Sequence, residues 1–334
     1  MDRLNLAMPL PGGMSGDLRG VEKTMWSVNK LLSGRQDEDY ASFEAFMNSL
    51  MGTIPEYEPK TPLEKAQSIA YDAYAAKGSK KRVRLARKAL EASPDCADAY
   101  VILAEETAET PEAACPIYEQ GIAAGERALG ALLKDPEAVG TLWDNIDARP
   151  YLRTKLGFAD ALWAMGERQR AVEQARDLLR LDLDDHQGVR YWLMSWLVIL
   201  GHDSEARQLL RDYEERDGTE WAYTLALITF REKGASGLAR RRLQDALRAN
   251  PLVPMIFGGL AANEAEFIES VRNLPDEIMF AFGEQARSYV ISSAEGWATT
   301  EGAFDWMMTV FEKGPDEMRT PPKLDMRLGK RRKR

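Results

Sequence analysis

Few residues in this sequence have types and spacings from which chemistry could be built. The stretch "PDCADAYVILAEE", Pro94 to Glu106, holds a cysteine, two aspartates and paired glutamates inside an apolar run. Glu105 and Glu106 are adjacent, so on a helix they point about 100° apart and cannot both face one ligand. That spacing argues against a paired acid/base role. Cys96 and Cys115 have no CxxC spacing and no histidine pair beside them, which excludes a zinc-type ligand set and leaves small buried hydrophobes. His186 stands in "DLDDHQG" with Asp182, Asp184 and Asp185. A calcium loop needs alternating oxygen ligands, a glycine at its sixth position and a distal glutamate, and the pattern fails. These acids read as caps at a helix N-terminus, where the dipole favours them. His202 follows Gly201 with no evident partner. With two histidines, two cysteines and no GxSxG, HExxH or phosphate-loop motif, the reading is of a non-enzyme without metal or cofactor.

Charge offers a second kind of chemistry. The chain carries a formal net charge of −9, but Pro321 to Arg334 ("PPKLDMRLGKRRKR") holds seven basic residues against one acid. The tail is therefore +6 and the remainder about −15. Lys330, Arg331, Arg332, Lys333 and Arg334 form a candidate polyanion contact, for RNA, DNA, an acidic protein or the chain's own acidic body. No aromatic residue interrupts the run, so base stacking is not part of it. The basic stretches "KGSKKRVRLARK" and "ARRRL" read as solvated helix faces.

These residues must be positioned by helices, because nothing in the chain reads as an alternating strand of useful length. A composition of 45% hydrophobic and 29% charged residues describes a folded protein. The longest apolar run, "YWLMSWLVIL" from Tyr191, is too short to span a bilayer as a helix. The opening residues lack the pattern of a secretory signal, and a cytoplasmic location is expected.

Internal repetition sets the architecture. Aligning "MGERQRAVEQARDLLRLD", "LGHDSEARQLLRDYEER" and "KGASGLARRRLQDALRANP" brings Gly166, Gly201 and Gly234 into register, at spacings of 35 and 33. Five residues after each comes an alanine: Ala171, Ala206 and Ala239. Glycine can close a first helix in the left-handed conformation, and alanine allows the second helix to cross closely. A period near 34 with helix-turn-helix content matches the tetratricopeptide repeat. A weaker copy spans Thr61 to Pro94, with its turn at Gly78. Asp95 is then the expected N-cap of the next helix, and Pro111 and Ala114 fall in the first turn and at the close-packing position of its partner. The fold expected is all-α: a tetratricopeptide-like solenoid of helical hairpins with helical caps at both ends. Its divisions are an N-terminal helical and linker segment (1–60), the array (61–257, with an irregular insertion at about 130–150), a helical cap (258–320) and the basic tail (321–334). Expected helices in the first segment are "VEKTMWSVNKLL" and "YASFEAFMNSLM"; the cap is expected to use "EAEFIESVRN", "DEIMFAFGEQARSYVISSAEGWA" and "EGAFDWMMTVFEK".

Several phrases, in order, resemble bacterial tetratricopeptide proteins of the suppression-of-tumorigenicity-7 family: "KALEASPDCADAYVILAEE", "YEQGIAAGERALG", "ARPYLRTKLGFADALWAMG", "HQGVRYWLMSWLVILG" and "ALRANPLVP". The likeness covers roughly Thr61 to Pro254 and departs at Leu183, where a repeat-ending proline is expected. It implies an interaction scaffold and brings no catalytic residues. Tetratricopeptide grooves are lined from the first helix of each pair. The resemblance therefore implies a groove of Tyr71, Tyr74, Glu105, Glu109, Arg153, Asp160, Trp163, Tyr191, Ser195 and Arg231.

Two functions are carried forward. The first is a scaffold that holds a peptide or partner protein in its concave groove; the second is a factor anchored to RNA, DNA or a ribonucleoprotein by the tail.

Overall fold

The computed structural model describes residues 19–33, 57–213, 218–262 and 282–314. These residues are all-α, with no strand among them. The expected helices "YASFEAFMNSLM" and "EAEFIESVRN" and the basic tail lie outside the described residues. Two compact units divide at Val189 and Arg190.

The first unit holds α1 (Arg19–Ser33) and three hairpins. Their first helices are α2 (Pro62–Ala75), α4 (Ala97–Thr107) and α6 (Arg149–Ala164); their second helices are α3 (Ser79–Ala92), α5 (Pro111–Leu129) and α7 (Arg168–Leu181). Local sequence explains the helix starts. Thr61 and Glu64 form a capping box ahead of α2, with Pro62 in the first turn. Thr110 caps α5, and Pro111 takes its first position as expected. Asp95 is not the cap of α4: that place falls to Cys96. Asp95 instead accepts from Arg127 Nε at 2.7 Å, tying the α3–α4 joint to the end of α5.

The repeat register is realised in the backbone. Gly166, Gly201 and Gly234 have φ of 85°, 73° and 60°, a region costly for any side chain with a Cβ. Ala171, Ala206 and Ala239 are fully buried, as is Ala114. The α4, α5 and α6 helices approach even closer. A Cβ on Gly125 would stand 2.7 Å from the Tyr151 ring, and one on Gly157 2.5 Å from the Tyr118 ring. Between α5 and α6 lies the expected irregular insertion, two 3-10 turns at Gly130–Lys134 and Leu142–Asp144. It is fastened to the end of α7 by Gly140, whose N–H donates to Leu181 O and whose carbonyl accepts from Leu183 N. Leu183, where a proline was expected, thus has an N–H in use. Asp185 caps the next helix as expected, its Oδ1 accepting from Val189 N; Asp182 does not, and instead folds the loop before it by accepting from both His186 N and Nδ1.

The second unit holds α8 (Val189–Ile199), α9 (Asp203–Asp212), α10 (Thr219–Lys233), α11 (Gly237–Ala249), α12 (Leu252–Ala262), α13 (Glu284–Ala298) and α14 (Ala303–Glu312). Its core is aromatic: Tyr223 packs on Tyr289, Phe230 stacks on Trp306 at 4.5 Å, and Phe257 meets Trp297. Here α13 lies against α8, α10 and α12.

Candidate functional site: a groove floored by first helices

In the first unit α2, α4 and α6 lie side by side and present one face. At its centre is Arg153 of α6. Its Nε and Nη2 donate to the two oxygens of Asp98 on α4, at 3.0 and 2.8 Å. Its Nη1 and Nη2 donate to the two oxygens of Glu22 on α1, both at 2.9 Å. Such two-point pairing matches the planar fork of a guanidinium. Asp98 is wholly excluded from water and also accepts from Tyr74 Oη at 3.0 Å and Gln67 Nε2 at 2.7 Å. Burial alone would push the Asp98 carboxyl up, but the charge and bonds of Arg153, with those of Gln67 and Tyr74, outweigh it and hold Asp98 below the usual carboxylate range. Burial likewise opposes the charge on Arg153, and Asp98 and Glu22 more than restore it. Burial and the neighbouring Glu22 and Asp98 raise the Tyr71 phenol, which stays protonated and donates to Glu22 Oε1 at 3.0 Å.

The helix seated on this face is α1. Trp26 is 1% exposed; its ring meets Tyr57 edge-on and tilts against Tyr71, and its Nε1 donates to Asp147. Charged pairs frame it: Lys23 with Asp72, Lys30 with Asp147 at 2.7 Å, and Arg19 with Glu105 at 4.0 Å. The Arg19 guanidinium also lies over the Tyr74 ring. Tyr71, Tyr74 and Arg153, implied as groove residues by the resemblance, come together on this face, and the group they hold is the chain's own α1.

The rest of the implied set separates. Glu105, exposed on α4, stays at the rim of this face through Arg19, whereas Glu109 is exposed in the turn that follows α4. Asp160 lies two turns beyond Arg153 on α6, half-buried, and burial pushes its carboxyl up to about 7. The Arg168 guanidinium covers the Trp163 ring at 4.9 Å. In the second unit Tyr191 meets Trp221 edge-on, and Arg190 lies over the Tyr191 ring. Ser195 is buried, its Oγ 3.5 Å from Ser293 Oγ of α13. Arg231 is invested in the fold: it donates to Val198 O, Asp203 Oδ1, Gly296 O and Thr300 Oγ1.

Sequence reasoning passed over Glu22, Trp26, Asp98 and Asp147. Asp98 did carry a signal, a lone charge between Ala97 and Ala99 on an otherwise apolar helix face. Neither cysteine is poised to react. Cys96 is fully buried, which pushes its thiol up to about 12, and Cys115 Sγ lies 3.2 Å from Met165 Sδ. Among the described residues no group of three histidines, cysteines or carboxylates could hold a metal ion, and no helix is long and apolar enough to cross a membrane.

Comparison with known proteins converges on one family. The family model described as "ST7 protein" matches residues 59–241. That span contains the whole floor of the groove, α2, α4 and α6, and does not contain α1. Proteins named "Suppressor of tumorigenicity 7 protein-like" from Bos taurus and Homo sapiens are 24% identical over 280 residues, covering 75% of this chain. The Danio rerio protein of that name is 24% identical over 272 residues. The chain spans about half the length of these curated relatives, 47% of the Bos taurus protein.

Proposed function

The chain belongs to the ST7 protein family, and on that premise we propose that it is a non-catalytic interaction scaffold holding a partner protein in the groove of its first helices. On this reading it is a bacterial, tetratricopeptide-type member working in the cytoplasm. One observation carries it: the α2–α4–α6 face already holds a helix, and holds it by side chains. Arg153 supplies a charged fork and Tyr57 with Tyr71 an aromatic wall, the residue types that concentrate binding energy at interfaces. Repeat arrays commonly use such concave faces for recognition.

The second reading rests on the tail, Lys330 to Arg334, as an anchor for nucleic acid or a ribonucleoprotein surface. Its support is the opposition of a +6 tail to a body of about −15. Capture from native lysate at low and high salt, with the full chain and with a chain lacking Leu328–Arg334, separates the two. A discrete protein retained under all four conditions supports the groove. Capture that vanishes with salt or with the tail supports the polyanion reading. A full chain that retains no protein at either salt concentration sinks the scaffold.

A further inference from the structure

We propose that the α2–α4–α6 groove is a receptor for an amphipathic helix that docks by its polar face, presenting a glutamate and, four residues later, a tryptophan, and that α1 is the built-in occupant such a partner displaces. The inference rests on the scaffold reading and names its partner's chemistry.

The seat is built independently of its occupant. Arg153 is fixed from below by Asp98, itself held by Gln67 and Tyr74, so its outer edge remains aimed outward when α1 leaves. That edge accepts a carboxylate at two points, and Arg149 Nη1 stands 3.9 Å from the same carboxylate. One helical turn along, Tyr57, Tyr71 and Asp147 form a slot for an indole and its N–H. The i, i+4 spacing of Glu22 and Trp26 puts both groups on one helix face and fits both features at once. The rim is acidic where α1 is basic: Asp72, Glu105 and Asp147 receive Lys23, Arg19 and Lys30. A matching partner therefore carries basic residues one turn before its glutamate and one turn after its tryptophan.

The seating of α1 is the reverse of the usual amphipathic packing. Its inward side carries Arg19, Glu22, Lys23, Trp26, Ser27 and Lys30, with Leu31 partly buried against the same core, while Val21 and Met25 point away, 60% and 47% exposed. A helix held mainly by ion pairs, with one indole and one partly buried leucine as its apolar contacts, can be exchanged. By contrast, α13 is locked in the second unit by tight packing of Gly296 against Val198 and by Arg231. Tethering gives α1 an effective concentration on the order of millimolar, so a competing helix must bind well below that.

The test uses the full chain and, as probe, a labelled peptide of the α1 sequence, RGVEKTMWSVNKLLS. In an opened chain carrying Glu22→Gln and Trp26→Ala, the peptide is expected to bind at least about tenfold tighter than to the unaltered chain, whose seat is taken. A Glu22→Gln peptide should lose about tenfold, since a charge-assisted two-point pair is lost. A peptide with Val21→Ser and Met25→Ser should bind within about twofold of the parent, because those side chains face solvent. The opposite ranking, with Val21/Met25 critical and Glu22 indifferent, overturns the proposal, as does no binding to an opened chain of unchanged helicity. Should the double variant fail to fold, Glu22→Gln alone serves as the opened chain, with the same expected and overturning results. Light scattering reads a further outcome: peptide-reversible dimers of the unaltered chain would replace the foreign partner by a second copy exchanging α1, and overturn that assignment. Peptide binding without any partner from lysate removes the scaffold reading and keeps the receptor. Lysate partners without peptide binding do the reverse.

Discussion

Arg153 and Asp98 close a two-point salt bridge, Nε to Oδ1 at 3.0 Å and Nη2 to Oδ2 at 2.8 Å, in which the carboxylate has no access to water. Removing one member of such a pair strands the other charge in a low-dielectric interior. Asp98→Ala should therefore cost about 3–5 kcal/mol of stability, against about 1 kcal/mol for Glu22→Gln, whose host helix can leave with it. Urea denaturation of the two variants measures both.

The same pair sets an acid limit. The folded-state pKa of Asp98 is depressed, so its contribution is complete above the unfolded carboxylate value near about 3.9 and is lost as pH falls below that toward the folded value. Stability against pH should drop through that window in the unaltered chain and drop less in Asp98→Ala.

Asp160 has the opposite sign. Burial raises its carboxyl to about 7, so folding favours its protonated form. Stability is unpenalised below the unfolded value near about 3.9 and declines as pH rises to about 7. Asp160→Asn should stabilise the protein by on the order of 1 kcal/mol at pH 8 and leave it unchanged near pH 3. Equal effects at both pH values would contradict this origin.

Two glycine-to-alanine changes should differ in sign. At Gly157 a Cβ would stand 2.5 Å from the Tyr118 ring, and overpacking there should cost about 1–3 kcal/mol. At Gly237, in the first turn of α11, a Cβ meets nothing within 4 Å, and alanine should gain up to about 1 kcal/mol. Thermal unfolding of both variants decides.

Salt should loosen α1 selectively. Its partly exposed pairs, Lys23–Asp72 and Lys30–Asp147, are screened at high ionic strength. Amide exchange over Arg19–Ser33 should accelerate between low salt and about 1 M NaCl, while α4, which carries the dry Asp98, stays protected.

Much of the fold was legible because its signals are local. The glycines at 166, 201 and 234 announce left-handed helix ends, and the alanines five residues on announce close crossings; each follows from one residue's sterics. Thr61 with Glu64 and Thr110 with Pro111 fix helix starts in the same way. Asp95 misled because a carboxylate just before an apolar helix reads as its cap, whereas the helix starts one residue later, after Cys96, and Arg127 from α5 engages the carboxylate.

The groove belongs to the other class. The sequence by itself determined the helical hairpins, and the family resemblance it carries implied that their first helices would line a groove with Tyr71, Tyr74 and Arg153. Only the tertiary structure decided what those residues touch. Glu22 and Arg153 are 131 positions apart, and no local rule links an arginine to a carboxylate at that separation. Whether an exposed fork or a filled one results depends on where α1 comes to rest. That position is a balance of charged contacts, one indole and chain entropy, terms that periodicity does not encode.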